Sequence, residues 1–438
     1  MTTLAAAIEN NNIMRDDNIE KPADETQGTA TSLVDIKAAP DEPDDDNKNA
    51  EAAAHEESPI GCFARYLTLW VALSMGLGLI LSRFAPAVAY GLNKATIAQV
   101  SIPVAVFIWL MVFPMMLQID IAALKKIRYN VKPLLVTSGI NYLIQPFSMY
   151  AISLLFFRVV YRSVISPELA NQYIAGAVIL GGSPCTAMVF VWSALVKGNA
   201  MYTLTQVALN DALIFVFYIP TVMLLLRVTH ITIPWSTAFL SVALFMCAPA
   251  LFGIVAREYG RRTQGDKLEA WIRKLMIFFE PISMIALLLT IVAIFTVQGA
   301  AIIESPAAVF MIALPLTIQT YFMFVVACTI FYKLQTVFEI AAPGCMIATS
   351  NFFELAVAVA MALFGTNSAA TLVTTVGVLV EVPIMLSLVW LAKRFKHWFP
   401  SEKDEMKTND ATEDDPQKQL AEEDTADAEN QIQVEDQI

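Results

Sequence analysis

Four side chains that can do chemistry stand inside long apolar stretches of this 438-residue sequence. Asp211, Glu354 and Glu381 carry carboxyl groups, and Cys185 carries a thiol. An ionisable group within a membrane-length apolar segment is costly to bury, so each carboxyl group is a candidate for proton exchange. Asp211 and Glu381 can equally act as hydrogen-bond partners between helices, and a lone cysteine in such a segment can be a small packing residue.

Sequence features that interrupt a helix come directly before Cys185. The segment reads AGAVILGGSPCTAMVFVWSAL, and in it Gly182 and Pro184 favour an opening, because glycine permits unusual dihedrals and proline lacks a backbone donor. A half-helix that begins near Cys185 would point its positive end at the sulfur and favour the thiolate. We therefore predict a helix break at Gly182 and Pro184.

Glu354 follows a comparable set of residues in APGCMIATSNFFELAVAVAM, where Pro343 and Gly344 come early and a polar run ends at Asn351. Discontinuous helices at equivalent places of two halves are the best sequence pointer to a binding site near the bilayer midplane. Candidate substrate contacts are therefore Cys185, Asn351 and Trp192, although Trp192 also suits a packing or cavity-wall position.

The spacing of these residues indicates an internal repeat. Cys185 and Glu354 are 169 positions apart, and Asp211 and Glu381 are 170 positions apart. Ten apolar stretches long enough to cross a bilayer as helices start near Tyr66, Ser101, Lys132, Ala170, Met201, Pro234, Leu275, Pro306, Glu339 and Thr371. The second five starts follow the first five by 168 to 174 positions. Since five is odd, two such halves would have inverted topology, as in many secondary transporters.

The composition is that of a membrane protein with acidic tails. Hydrophobic residues make up 57% of the chain and charged residues 16%, too few charges for a water-facing surface. Residues 1–61 hold 15 acidic and 4 basic residues, and residues 401–438 hold 14 and 3, which leaves a net charge of +10 between them. We expect both tails to be disordered, because they cannot bury enough apolar surface. The five cysteines match no disulfide or zinc pattern, so we expect no disulfide pairs.

The basic residues set the expected orientation. If both tails share one side, that side and its short connections hold 16 Lys and Arg residues, against 5 on the other side. This ratio predicts that both termini lie in the cytoplasm. The expected fold is an all-α polytopic membrane protein of ten transmembrane helices, arranged as two inverted five-helix repeats with broken helices 4 and 9. The expected organisation is a tail at 1–61, repeats at 62–230 and 231–400, and a tail at 401–438.

The sequence resembles a known transporter family. The segments GGSPCTAMVFVWSALVKGN, LTQVALNDALIFVF, ATSNFFELAVAVAMALFG and LVEVPIML are similar to the arsenite efflux permeases of the arsenical-resistance-three family, within the bile acid/arsenite/riboflavin transporter superfamily. The likeness extends from about Tyr66 to Pro400. It implies transport roles for Cys185 and Glu354. Some members carry an arginine just before the cysteine, where this chain has Pro184.

The resemblance implies export of arsenite across the plasma membrane in exchange for protons, and the sequence leaves open whether antimonite is also carried. Trivalent arsenic is thiophilic, so Cys185 would be its ligand, and a single arsenic–sulfur bond gives the weak, reversible capture that a carrier needs. Burial disfavours the charged form of a carboxyl group, which suits Glu354, with Glu381 and Asp211, to carrying protons. We expect the lipid bilayer as partner, no nucleic acid and no cofactor.

Three other functions stay open from the sequence. A sodium-coupled importer of bile acids or other organic anions would use oxygen ligands near the breaks, which the run ending at Asn351 could supply in part. A passive channel could conduct uncharged arsenious acid. An intramembrane enzyme is disfavoured, because none of the three histidines, His55, His230 and His397, forms a zinc motif.

Overall fold

A computed structural model describes residues 66–97, 100–118, 131–186, 188–228 and 235–400 of the chain. The expected disordered tails and Cys62 lie outside these residues. The described backbone is helical almost throughout, which confirms the all-α expectation. The exception to helical structure is a short antiparallel pairing of two strands, Thr96–Ile97 and Val100–Ser101.

The α-helices are numbered here in chain order. They are α1 Leu67–Phe84, α2 Pro86–Lys94, α3 Ile102–Gln118, α4 Val131–Gly139, α5 Gln145–Leu154, α6 Pro167–Gly181, α7 Val189–Leu195, α8 Ala200–Val228, α9 Trp235–Val242, α10 Ala248–Gln264, α11 Leu268–Glu304, α12 Pro306–Lys333, α13 Phe338–Ile347, α14 Phe353–Phe364 and α15 Ala369–Arg394. The π-helical and 3-10 turns are Ile140–Ile144, Leu155–Val160, Ala243–Cys247, Gly265–Lys267 and Lys396–Trp398.

Helices begin within three residues of nine of the ten predicted span starts, and the remaining start, Leu275, lies inside α11. In the described part of the chain, six helices are long and apolar enough to cross a membrane alone, and α1 with α2 makes a seventh candidate that bends by 99°. The six are Val131–Val160, Ala200–Val228, Ser236–Gln264, Ala270–Glu304, Pro306–Lys333 and Ala369–Arg394. The chain is therefore a multi-pass membrane protein, whereas the count of ten spans in an inverted repeat stays a prediction.

Large apolar side chains face outward along these helices. Phe84 is 80% exposed and Phe310 is 77% exposed, and many Leu, Ile and Val residues are more than half exposed. A water-soluble surface does not carry so much contiguous apolar area, but a lipid-facing surface requires it. The polar residues that could form a site are instead buried inside the helix bundle.

Two π-helical turns come just before prolines. Ile140–Ile144 precedes Pro146, and Ala243–Cys247 precedes Pro249. Because proline has no N–H to bond four residues back, the preceding turn widens. The first of these turns joins α4 to α5 and leaves Gln145, the first residue of α5, fully buried.

Helices α6 and α15 pack closely in the interior. A Cβ at Gly176 of α6 would lie 2.3 Å from the Ala370 carbonyl oxygen, and one at Gly377 of α15 would lie 2.5 Å from Leu180 Cδ2. Glycine at these two positions lets the helices approach closely. In the most apolar 18-residue stretch of α15, 72% is buried, which is a larger share than in the corresponding stretch of any other described span candidate. This packing brings the middle of α15 against the end of α6.

Candidate functional site

The first interruption separates α6, which ends at Gly181, from α7, which begins at Val189, and its described residues are 182–186 and 188. Gly182 ends α6 with a φ of −81°, so it does not use a left-handed conformation. A Cβ at Gly182 would instead meet Val222 Cγ2 at 2.9 Å and the Tyr218 ring at 3.3 Å. Gly182 is therefore needed for the close approach of α8, while the helix opens over the next residues, which include Pro184 and Cys185.

The second interruption, residues 348–352, separates α13 from α14. It does not occur at Pro343 and Gly344, because α13 stays helical through both residues to Ile347. Gly344 serves packing, since a Cβ there would lie 2.6 Å from Phe331 Cζ. The polar run that ends at Asn351, rather than the Pro-Gly pair, forms the break.

The two interruptions cross and hydrogen-bond to each other. Pro184 and Asn351 form an isolated antiparallel bridge. Beside it, the Cys185 N–H donates to the Ser350 carbonyl at 3.1 Å, and the Phe352 N–H donates to the Ser183 carbonyl at 2.8 Å. Backbone groups freed from two helices thus satisfy one another, as a buried or membrane setting requires. We call this arrangement the crossing.

Cys185 lies at the centre of the crossing with no exposed surface. The Ser350 side chain and the Met188 backbone lie near its sulfur, which also interacts electrostatically with Glu381 and Glu354. The expected half-helix at Cys185 is not found, because α7 begins at Val189. The Cys185 N–H bonds to a carbonyl of the other interruption instead of pointing along a helix axis.

Glu381 of α15 is tied to the second interruption. Its Oε1 accepts hydrogen bonds from the Ser350 hydroxyl and, at 3.2 Å, from the Asn351 N–H. Glu381 is 7% exposed. The carboxyl group therefore joins α15 to the crossing through one side-chain and one backbone donor.

Glu354 stands in the first turn of α14 and is fully buried. Neither of its carboxyl oxygens has a hydrogen-bond partner among the described residues. It interacts electrostatically with Glu381 and with Cys185. A buried carboxyl group left free of hydrogen bonds is costly, so the site retains it for a reason other than packing.

Asp211 of α8 lies near Thr186 of the first interruption. It is 2% exposed, it faces Thr186 without a hydrogen bond of normal geometry, and both its oxygens lack partners among the described residues. It also interacts with Tyr142, whose hydroxyl donates to the Asn210 carbonyl at 2.8 Å. Although Asp211 and Glu381 occupy matching places in the predicted repeat, they contact different residues.

The side chain of Asn351 bonds to a residue that the sequence analysis did not single out. Gln145 Nε2 donates to Asn351 Oδ1 at 2.7 Å, across 206 residues of chain. The sequence does offer a signal for Gln145, because its amide stands within an apolar segment, directly before Pro146. Trp192 of α7 is fully buried, and its Nε1 has no partner among the described residues.

The crossing is closed in this conformation. The cavity against it has a volume of about 10 Å³ and is lined by residues of both the interruption and the neighbouring helices, among them Met149, Thr320, Thr349, Asn351 and Glu381. A space of this size holds about one water molecule. Among the described residues, no three His, Cys, Asp or Glu side chains converge as a metal-ion site. A substrate that reaches Cys185 therefore needs the helices to separate.

Comparison with known proteins identifies the family. Residues 105–305 match the Sodium Bile acid symporter family. The chain is 47% identical over 350 residues to the arsenical-resistance protein Acr3 of Alkaliphilus metalliredigens, a match that covers 80% of this chain and 98% of the relative. It is 38% identical to an uncharacterized transporter of Synechocystis over 78% of this chain and 91% of the relative. It is 29% identical to the Acr3 of Corynebacterium glutamicum over 78% of this chain and 92% of the relative. The chain is thus a membrane transporter that belongs to the Acr3 family of arsenical-resistance proteins.

Proposed function

We propose that this protein exports arsenite from the cytoplasm across the plasma membrane in exchange for protons. The observation that carries the proposal is the Cys185 thiol, buried where the two interruptions cross and close to the carboxyl groups of Glu354 and Glu381. Relatives named for arsenical resistance supply the substrate class, and antimonite shares its thiophilic chemistry.

The proposal includes the topology. Ten spans in two inverted halves, residues 62–230 and 231–400, would put both termini in the cytoplasm. Two features support this arrangement: the excess of basic residues on the side of the tails, and the crossing of two interruptions whose key residues are 169 positions apart.

In this mechanism, capture of arsenite uses one sulfur. The Cys185 thiol condenses with arsenious acid, As(OH)₃, so that one As–S bond forms and one water molecule leaves. The reaction is reversible by water, which permits release on the other side. Asn351 and Trp192 are the proposed further contacts, since Asn351 flanks the Cys185–Ser350 hydrogen bond and Trp192 follows the first interruption on α7.

Proton coupling is assigned to the carboxyl groups. Glu354 interacts electrostatically with the sulfur, its two oxygens lack hydrogen-bond partners among the described residues, and it can take up a proton from outside as the site turns outward. Protonation of Glu381 would weaken its acceptance of the Ser350 and Asn351 donors, because hydrogen bonds to a charged acceptor are about twice as strong as neutral ones. That change would loosen the crossing, while Asp211 provides a second proton position near the first interruption.

The test is arsenite uptake into everted membrane vesicles energised with a proton gradient. We expect gradient-dependent accumulation by the intact protein, none by Cys185→Ala, and loss of the gradient dependence in Glu354→Gln. Cys247→Ala is the matched control, because Cys247 is a free cysteine in a π-helical turn outside the two interruptions. Normal export by Cys185→Ala at normal expression would refute the role of the sulfur.

A second candidate function is sodium-coupled transport of organic anions, favoured by the match to the Sodium Bile acid symporter family. The Ser350 hydroxyl meets a carboxyl oxygen of Glu381 at the second interruption, and Thr349, Asn351 and Glu381 line the small cavity there. Oxygen ligands suit hard cations such as sodium. Replacement of sodium by choline in the same vesicles separates the two functions: arsenite accumulation that is unchanged supports proton exchange, whereas sodium-dependent uptake of a bile acid in place of arsenite supports the second function.

A further inference from the structure

We infer that Cys328 and Cys345 form a dithiol site for trivalent arsenicals, separate from Cys185. The two sulfurs lie 3.3 Å apart, although the residues belong to different helices. Both cysteines are free. The spacing of the cysteines predicted no disulfide, and this pair is a close contact between free thiols.

The packing of α12 against α13 holds the pair together. The two helices form a hairpin joined by residues 334–337. Gly344 of α13, one residue before Cys345, allows the Phe331 ring of α12 to come within 2.6 Å of where a Cβ would stand. A larger residue at 344 would therefore force the buried Phe331 ring out of its place between the two helices. The close sulfur contact is therefore built into the interface.

The pair lies near the turn end of the hairpin. Cys328 lies five residues before the end of α12 and Cys345 seven residues after the start of α13, so both are roughly 8 to 10 Å from the turn at a rise of 1.5 Å per residue. Cys328 is partly exposed, while Cys345 is 1% exposed. In the proposed topology the turn faces the cytoplasm, and this statement of sidedness rests on the proposed function.

The donor set matches a trivalent arsenical. Two thiols condense with As(OH)₃ to form two As–S bonds and release two water molecules, which leaves one hydroxyl on arsenic. Soft sulfur ligands suit this element. Structural zinc sites use four protein ligands, and no third Cys, His, Asp or Glu side chain joins this pair among the described residues.

Occupancy of the site would cross-link α12 to α13 close to the second interruption. The Thr349 hydroxyl donates to the backbone carbonyl oxygen of Cys345 at 2.6 Å, which ties the backbone of Cys345 to the segment that contains Ser350 and Asn351. Two bonds also hold arsenic more firmly than the single bond of Cys185. The dithiol is therefore a retention site and not the exchange site of the transport cycle.

The experiment uses phenylarsine oxide on the purified full-length protein in detergent, with excess 2-mercaptoethanol to keep thiols reduced and to compete with single-thiol adducts. Intact-mass spectrometry should detect one phenylarsenic group per chain, formed with loss of one water molecule and removed by a dithiol such as 2,3-dimercaptopropanol. The adduct should disappear in Cys328→Ser and in the smaller change Cys328→Ala, and it should persist in Cys185→Ser and Cys247→Ser. Bound probe should also raise the melting temperature of the intact protein but not of the Cys328 variants.

An adduct that persists in both folded Cys328 variants would overturn the inference. So would a folded intact protein that forms no adduct and in which arsenite also fails to protect Cys328 from N-ethylmaleimide. Vesicle transport distinguishes this failure from failure of the proposed function: Cys328→Ser should still export arsenite, and Cys185→Ala should not.

Discussion

Replacement of Glu381 by glutamine and by alanine separates its hydrogen-bonding role from its proton-carrying role. Oε1 of Glu381 accepts from the Ser350 hydroxyl and the Asn351 N–H. Alanine leaves both donors unpaired in a buried setting, at about 1–3 kcal/mol each, or about 2–6 kcal/mol together. Hydrogen bonds measured within membranes average nearer 0.6 kcal/mol, which sets a lower limit of about 1 kcal/mol for the pair.

Glutamine keeps an acceptor oxygen at the same place but cannot take up a proton. Because its hydrogen bonds are neutral rather than charge-assisted, they are about half as strong, and we expect a loss of stability of only about 1 kcal/mol. Export should nevertheless fall by at least about tenfold, because the group can no longer titrate. Glu381→Gln should therefore be folded but inactive, and Glu381→Ala should be both inactive and less stable.

The assay combines thermal unfolding of the purified variants in detergent with arsenite uptake into everted vesicles at matched protein amounts. Ser350→Ala removes one of the two donors and should fall between the intact protein and Glu381→Ala in stability. The proton role is refuted if Glu381→Gln exports at the normal rate with the normal dependence on the proton gradient. Equal stability of the alanine and glutamine variants would refute the hydrogen-bond argument.

Two further predictions concern the contacts that support the crossing. Gln145→Leu removes the donor to Asn351 Oδ1 and should lower the stability of the protein by about 1–3 kcal/mol, with a matching fall in export. The control is Gln319→Leu, at a buried amide without partners among the described residues, which should change neither property. Thermal unfolding and vesicle uptake measure the two effects. Gly176→Ala puts a Cβ 2.3 Å from a backbone oxygen, and this overpacking should cost about 1–3 kcal/mol and reduce the yield of folded protein. The control is Gly91→Ala, whose Cβ meets nothing within 4 Å. Equal yields of the two variants in detergent would contradict this reasoning.

Much of the architecture follows from local pattern. Apolar length alone predicted nine of the ten span starts to within three residues of a helix start, because a segment that faces lipid must satisfy its backbone hydrogen bonds within itself. The break after Gly182 was also predictable, because Pro184 has no backbone donor. The second break was located less well: Pro343 stays within α13, since proline in the interior of a packed helix is tolerated when neighbouring groups compensate.

The candidate residues could be named from the sequence, but their contacts and hydrogen-bond partners could not. Asp211, Glu354 and Glu381 were visible because a carboxyl group in an apolar segment is rare. Their surroundings differ in ways that sequence spacing does not contain: Glu381 is hydrogen-bonded, whereas the oxygens of Glu354 and Asp211 lack partners among the described residues. The repeat spacing of Asp211 and Glu381 suggested equivalence, yet their contacts differ.

The sequence by itself determined that this is a helical membrane protein, which family motifs it carries, and which residues are costly to bury. These properties depend on composition and on neighbours along the chain. Only the tertiary structure decided that Cys185 meets Ser350, that Gln145 reaches Asn351 across 206 residues, and that Cys328 lies beside Cys345. Such contacts depend on how closely whole helices pack, which is set by glycines such as Gly344 and Gly176 at interfaces that no local pattern specifies.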